Sequence, residues 1–142
     1  MNRIFCDANV LVDYYSRRLP WSIEADAFVA AAQAGRIVLS TSALSVAHIH
    51  YLTRQNIGLP AARTTVRDCL VLCDLVPVDR TILEKAYQMV GGDFEDNIQI
   101  ACVIQAHVDA IMTRDARGFA HSPVLVLTPP DLMARLSGST PP

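Results

Sequence analysis

The sequence contains almost no lysine and very little glutamate. Of its 142 residues, eleven of the twelve basic ones are arginine and eleven of the fourteen acidic ones are aspartate, which gives a net charge of −2. Without a surplus of positive charge, no general field draws the chain to nucleic acid or to an anionic membrane. Aspartate favours caps, turns and short ligand positions more than helix surfaces. Many of the aspartates are therefore expected to hold specific positions.

Cysteine spacing and hydropathy exclude several further classes of protein. The four cysteines lie far apart in apolar surroundings, and neither zinc-ligand spacing nor a CxxC redox pair is present. The sequence also lacks an apolar stretch of about 18 residues and an export signal. We therefore expect a cytosolic protein, not bound to a membrane, whose thiols are buried.

Short apolar segments alternate with longer helical ones along the chain. Strands are predicted at residues 3–6, 37–39, 75–78, 110–113 and 124–127. Helices are predicted from Val10 and at 22–34, 43–55, 60–73, 80–89, 93–107 and after 128, with Ser22, Ser42, Asp79 and a Thr128–Asp131 capping box at their starts. This alternation indicates an α/β fold, a three-layer α/β/α sandwich around a mostly parallel sheet of about five strands. Residues 1–136 form the expected single domain, and residues 137–142 form a flexible C-terminal tail.

Four aspartates are predicted to meet at the carboxyl edge of this sheet. Asp7 directly follows the first strand, Asp115 closely follows the fourth, and Asp93 and Asp96 begin the helix that leads into the fourth strand. Ligands of parallel sheets collect at this edge. Clustered carboxylates repel one another unless cations neutralise them, and oxygen ligation favours Mg²⁺ or Mn²⁺. The pattern therefore suggests a divalent-metal site.

Structural roles for the same carboxylates stay open at this stage. Asp93 and Asp96 have the spacing of a capping box, and Asp115 could serve as a turn or cap residue. Asp7 is hardest to explain in this way, because a carboxylate at the end of a buried strand needs a partner.

Four segments, in order, resemble the PIN-domain family, most closely the bacterial branch of VapC-type ribonuclease toxins. They are IFCDANVLVD from residue 4, SALSVAHIHYL from residue 42, DFEDNIQ from residue 93 and TRDARGF from residue 113. The resemblance runs from Ile4 to about Leu132. It implies a PIN-like sandwich that cleaves single-stranded RNA with Mg²⁺ or Mn²⁺ held by acidic residues.

The resemblance also assigns candidate roles to individual residues. Asp7, Asp96 and Asp115 match the family's catalytic and metal-binding acids, and Asp93 matches an additional acid of this branch. Asn9 and Thr113 match small polar residues beside the first and last acids. The expected reaction is metal-assisted hydrolysis that leaves a 5′-phosphate and a 3′-hydroxyl.

His48 stands where the family usually has a glutamate. A neutral imidazole could bind a metal, preferably Mn²⁺, and a protonated one could bind phosphate. Alternatively, His48 marks a site that has lost an acid. The chain would then be a catalytically degenerate PIN-like module that binds RNA or protein.

Cations around the acidic cleft must hold an RNA substrate. Arg17, Arg18 and Arg114 are the candidates for substrate binding, because a guanidinium can bond two phosphate oxygens at once. Trp21, Tyr14 or Tyr15 could stack a base.

Two predicted helices, over residues 21–29 and 59–72, carry more apolar residues than one sheet face needs. A groove between them could receive an amphipathic partner helix or form a homodimer. The family resemblance implies an antitoxin protein whose C-terminal segment covers this groove.

Two other α/β classes with a strand-end aspartate fit less well. A haloacid-dehalogenase-type phosphatase needs a second acid two residues after the nucleophile, where this chain has Asn9. A phosphoacceptor receiver domain could use Asp79 after the third strand, but it needs a lysine after the fifth, where Thr128 and Pro129 stand.

Overall fold

A five-stranded parallel sheet forms the centre of the molecule in the computed structural model, which describes residues 2–138. The strands are β1 (Arg3–Cys6), β2 (Val38–Ser42), β3 (Asp74–Val76), β4 (Ala110–Met112) and β5 (Leu125–Leu127). Their order across the sheet is β3-β2-β1-β4-β5, and each neighbouring pair is parallel. Of the predicted tail, residues 139–142 lie outside the described residues.

Helices connect the strands and cover both faces of the sheet. They are α1 (Ala8–Tyr15), α2 (Trp21–Gln33), α3 (Ala43–Ile57), α4 (Leu59–Leu72), α5 (Arg80–Gln88), α6 (Phe94–Ala106), α7 (Pro129–Leu136) and a 3₁₀ helix (Ala116–Phe119). Helices α5 and α6 contribute to the core on one face, and α1, α2, α3, α4 and α7 contribute to the core on the other. The predicted three-layer α/β/α sandwich is confirmed.

Side-chain alternation along β1 divides the core into its two halves. Ile4 and Cys6 pack in the cluster that contains α1 and α2, whereas Phe5 packs in the cluster that contains α6. Successive residues of a strand point to opposite faces, so a single buried strand anchors both layers. All four cysteines are buried and form no disulfide within the described residues. In the same part of the chain, no helix is long and apolar enough to cross a membrane.

Two local predictions are wrong. Ser22 was expected to cap α2, but its amide already donates to the Arg18 carbonyl at 2.8 Å, and the helix begins at Trp21. The predicted second strand, 37–39, is too short, because β2 continues through three hydroxyl residues. Thr41 fits inside the sheet because its Oγ1 donates to the Cys6 carbonyl at 2.9 Å. The side-chain caps at Ser42 and Asp79 and the Thr128–Asp131 capping box are confirmed.

The strand order places the ends of β1 and β4 side by side. The chain moves from β1 toward β2 and β3 on one side and returns to β4 and β5 on the other. A crevice opens at such a switch point, beyond the carboxyl ends of the two central strands. Asp7 follows β1 and Thr113 follows β4, so both lie at this crevice.

Candidate active site

Asp7 bridges the ends of the two central strands. Its Oδ1 accepts the Ala8 amide at 2.8 Å and so caps α1, while its Oδ2 accepts the Thr113 hydroxyl at 2.8 Å. Burial raises the pKa of Asp7, although the bonds from Thr113 and Ala8 and the nearby His48 act against this, and Asp115 adds repulsion. The carboxylate is therefore fixed in position and sensitive to the charges around it.

Thr113 also connects Asp7 to the next acid along the chain. The buried Thr113 Oγ1 accepts the Asp115 amide at 3.1 Å. The Asp115 carboxylate caps the 3₁₀ helix and accepts the Arg117 amide at 3.2 Å and the Arg117 Nε at 3.0 Å. Arg117 lowers the pKa of Asp115 through these bonds. Asp115 thus lies at the crevice with its carboxylate paired to an exposed arginine.

Asp93 and Asp96 begin α6 on the other wall of the crevice. Asp93 is the N-cap, and its Oδ1 accepts the Glu95 amide at 2.7 Å. Desolvation raises the pKa of Asp96, and repulsion from Asp93, Asp7, Glu95 and Asp115 raises it further, in that order. Asp96 is therefore influenced by acids of its own helix, of the end of β1 and of the loop after β4.

A glycine lets the loop after β4 approach this cleft closely. A Cβ atom placed on Gly118 would lie 3.0 Å from Asp96 Oδ2 and 3.3 Å from its Cγ. Any larger residue at this position would press on the carboxylate. Gly118 therefore brings the 3₁₀ helix against α6, a contact that the sequence analysis missed.

His48 lies on α3 at the side of the cleft. The imidazole is exposed, and it lowers the pKa of Asp7. It lines a cavity of about 280 Å³ together with Glu95 and Gln99. Gln99 Oε1 is buried and has no hydrogen-bond partner among the described residues. His48 therefore lies near Asp7 and Glu95, at the position where the PIN-domain family usually has a glutamate.

Sequence comparison decides the family. The family model for the PIN domain matches residues 3–117, which is most of the chain. The chain belongs to the PIN domain family. No curated protein resembles it in sequence closely enough to count as a relative.

Three solved bacterial structures have the same fold. VapC20 of Mycobacterium tuberculosis, described as a sarcin–ricin loop cleaving toxin, has a TM-score of 0.68 and 16% identity over 83% of this chain and 94% of its own. A toxin–antitoxin complex from Klebsiella pneumoniae has a TM-score of 0.63 and 22% identity over 89% of this chain and 97% of the matched chain. FitAcB from Neisseria gonorrhoeae has a TM-score of 0.65 and 17% identity over 89% of this chain and 97% of its own. At these identities the likeness establishes the fold.

The donor chemistry of this PIN domain cleft fits a hard divalent cation. The cleft offers carboxylate oxygens, and Asn9 Oδ1 is a buried oxygen that no described residue bonds. However, within residues 2–138 no three His, Cys, Asp or Glu side chains are placed so that they could hold one ion together. Asp7, Asp93 and Asp115 each accept bonds from nearby donors. A cation at this site must compete with those donors.

The three predicted substrate-binding arginines all have carboxylate partners. Arg17 forms a two-bond pair with the exposed Asp26 at 2.6 and 2.9 Å. Arg114 Nε donates to Asp13 Oδ2 at 2.6 Å, its second bond to Oδ1 is 3.3 Å long, and Arg18 Nε lies 3.7 Å from the same carboxylate. The pairing of Asp13 with these arginines was not predicted from the sequence. The position of this carboxylate at the end of the apolar run 10–13 could have indicated a buried ion pair, because a buried charge needs a partner.

The raised pKa of Asp96 predicts a pH-dependent stability difference. The folded protein holds this proton more tightly than the unfolded chain, so the contribution of Asp96 to stability is full below a pH of about 4 and is lost as the pH rises through its raised pKa. In the absence of metal, Asp96→Asn is expected to melt above the wild type at pH 7, by an amount that disappears toward about pH 4. Melting curves followed by circular dichroism across this range check it. A difference that does not vary with pH would contradict the assignment.

Proposed function

We propose that this PIN domain is an endoribonuclease that hydrolyses single-stranded RNA with Mg²⁺ or Mn²⁺ at its acidic cleft, and that it is the toxin of a toxin–antitoxin pair. The observation that carries the proposal is the repulsion of Asp96 by Asp7, Asp93 and Asp115 at the switch point of the sheet. Such a cluster is unfavourable by itself and favourable around a cation. VapC20, which has the same fold and is described as a sarcin–ricin loop cleaving toxin, adds support.

In this proposal Asp7 and Asp96 are the main ligands of the cation, and Asp115 joins them or orients the attacking water. Asp93 supports the site from the start of α6. When bound, the divalent cation supplies positive charge that lowers the pKa of water and stabilises the phosphoryl oxygens. The expected products carry a 5′-phosphate and a 3′-hydroxyl.

The other residues of the cleft prepare these carboxylates. Thr113 and the Ala8 amide fix both oxygens of Asp7 before substrate arrives. Arg117 pairs with the Asp115 carboxylate, and the exposed position of this pair lets it open at little cost. Asn9 contributes a buried oxygen that no described residue bonds. In this arrangement His48 takes the place of a carboxylate and favours Mn²⁺ over Mg²⁺.

An antitoxin and a second copy of the chain are the proposed protein partners. The solved structures of a Klebsiella pneumoniae toxin–antitoxin complex and of FitAcB share this fold. A cavity of about 480 Å³ opens between α1, α2 and α4, and Val71 beside it is 84% exposed. Its lining includes Tyr14, Tyr15, Val29, Val71 and Leu72. An amphipathic antitoxin helix fits such a groove.

A binding module without catalysis is the second candidate function. The observation that favours it is that no three His, Cys, Asp or Glu side chains within residues 2–138 are placed to hold one ion, together with His48 in place of an acid. Such a module would bind RNA or protein and cleave nothing.

Cleavage of single-stranded RNA by the purified protein, freed of any copurifying partner, tests the proposal. We expect cleavage with Mn²⁺ or Mg²⁺, none in EDTA, and products that a 5′-phosphate-dependent exonuclease degrades. Cleavage that persists in EDTA, or products with a cyclic phosphate, would exclude the metal mechanism. No cleavage with either metal, combined with no metal-induced rise in melting temperature, would favour the binding module.

A further inference from the structure

We propose that a pocket lined by the stacked pair of Trp21 and Arg114 binds one unpaired nucleobase of the RNA substrate. This inference rests on the proposed function and extends it to how the substrate is held. The pocket has a volume of about 520 Å³ and lies between the starts of α2 and α7. We call it the Trp21 pocket; its walls include Pro20, Trp21, Arg114, Pro129 and Pro130.

The walls of the Trp21 pocket suit a flat aromatic ligand. The Arg114 guanidinium lies 4.1 Å from the centroid of the Trp21 ring, and the indole is still 40% exposed. Guanidinium and indole planes are the surfaces on which proteins stack unpaired bases, and proline rings add apolar contact. Because the guanidinium already covers part of one ring face, a base would stack on the exposed part of the indole, beside the proline rings.

Arg114 is held in place before any ligand binds. Asp13, whose side chain is only 1% exposed, accepts two bonds from the guanidinium, and Arg114 itself is 24% exposed. A fixed plane loses little conformational freedom when a base stacks on it. Asp13 therefore acts as a positioning residue for this pocket.

The charges of the pocket favour a base over a phosphate. Asp13 neutralises the charge of Arg114 and accepts bonds from two of its nitrogens, which weakens the attraction of the guanidinium for a phosphate. Glu24 also lines the pocket, and its carboxylate repels phosphate but can accept a bond from the amino group of a base. An RNA backbone would accordingly pass outside the pocket while a base enters it.

The position of the pocket links it to the proposed cleavage site. Arg114 lies between Thr113, which bonds Asp7, and Asp115. Adjacent Cα atoms are about 3.8 Å apart. Residues 113–115 therefore contribute one side chain to the Trp21 pocket and two to the acidic cleft.

Fluorescence tests the proposal directly, because Trp21 is the only tryptophan of the chain. The probe is oligo(A), added in EDTA to the Asp96→Asn variant so that no cleavage occurs. The comparison ligand is an abasic ribose-phosphate oligomer of the same length. We expect oligo(A) to quench Trp21 emission and the abasic oligomer to leave it unchanged. Equal quenching by both ligands, or none by oligo(A), would overturn the proposal.

Binding measured by anisotropy of labelled oligo(A) supplies the second arm. Trp21→Leu is expected to weaken binding about tenfold, and Trp21→Phe to restore most of it, because base stacking needs an aromatic ring. Tyr87→Leu removes an exposed aromatic residue from α5 and serves as the matched control, with no expected change. Melting temperatures of all variants show whether each is folded.

The two proposals can fail separately. If the wild type cleaves RNA but oligo(A) does not quench Trp21, the nucleobase pocket is wrong and the ribonuclease stands. If oligo(A) quenches and the abasic oligomer does not, but no RNA is cleaved with either metal, the pocket stands and the catalytic proposal fails. Competition with an apolar helical peptide tests whether the pocket takes a protein segment instead. We expect the peptide to leave oligo(A) bound. If Trp21→Leu weakens binding of the peptide and not of oligo(A), the nucleobase proposal is overturned.

Discussion

Asparagine in place of Asp7 or Asp96 is expected to reduce RNA cleavage by at least about a hundredfold, which exceeds the effect usual for residues that only support a metal ligand. Asparagine keeps the size of the side chain and one oxygen, but it removes the charge that holds a divalent cation. The measurement is the initial rate of RNA cleavage at saturating Mn²⁺, with circular dichroism to verify the fold of each variant.

The control for these variants is Asp74→Asn. Asp74 is an exposed carboxylate at the start of β3, at the opposite edge of the sheet from the cleft. The same chemical change there should leave the rate within about twofold of the wild type, since exposed charges far from a site are screened. Cleavage that survives both Asp7→Asn and Asp96→Asn would exclude the carboxylates as the catalytic centre.

The position of Asp7 could be predicted because its causes are local. An apolar run of strand length ends at Asp7, and the carboxyl ends of parallel strands share one edge. Asp115 after the fourth strand and the start of α6 before it could be predicted from the same alternation of strands and helices. Helix caps such as Ser42 and Asp79 were equally predictable, since a cap bonds an amide only a few residues away.

The contacts that distinguish this site come from residues far apart in sequence. Arg114 and Asp13 are separated by 101 positions, and no periodicity or spacing couples them. Arg114 was expected to face substrate phosphates, and its pairing with Asp13 became visible only once α1 and β4 were adjacent. The close approach of Gly118 to Asp96 likewise depends on how α6 packs. Tertiary packing, rather than local preference, sets the geometry of the cleft.

Alanine in place of Asp13 is expected to lower the free energy of unfolding by about 3 kcal/mol, the lower part of the range for breaking a buried ion pair. A value in the lower part of that energy range applies because the Arg114 side chain is 24% exposed and can be partly hydrated once Asp13 is removed. For a chain of this size the melting temperature should fall by roughly 10 °C. Thermal and urea unfolding of Asp13→Ala measure both quantities.

The matched control is Asp26→Ala, which breaks the exposed pair with Arg17 and should leave the melting temperature unchanged. An equal loss of stability in both variants would contradict the role given to burial.

The double variant Asp13→Leu with Arg114→Leu separates pairing from packing. Burial raises the pKa of Asp13 even though Arg114 bonds it and Arg18 lies near, so desolvation offsets much of what the pair gains. Replacing both partners removes the unpaired charge that Asp13→Ala leaves behind. The double variant should therefore be more stable than Asp13→Ala, yet bind oligo(A) more weakly than the wild type. Recovered stability without recovered binding would mean that the pair is retained for the substrate and not for the fold.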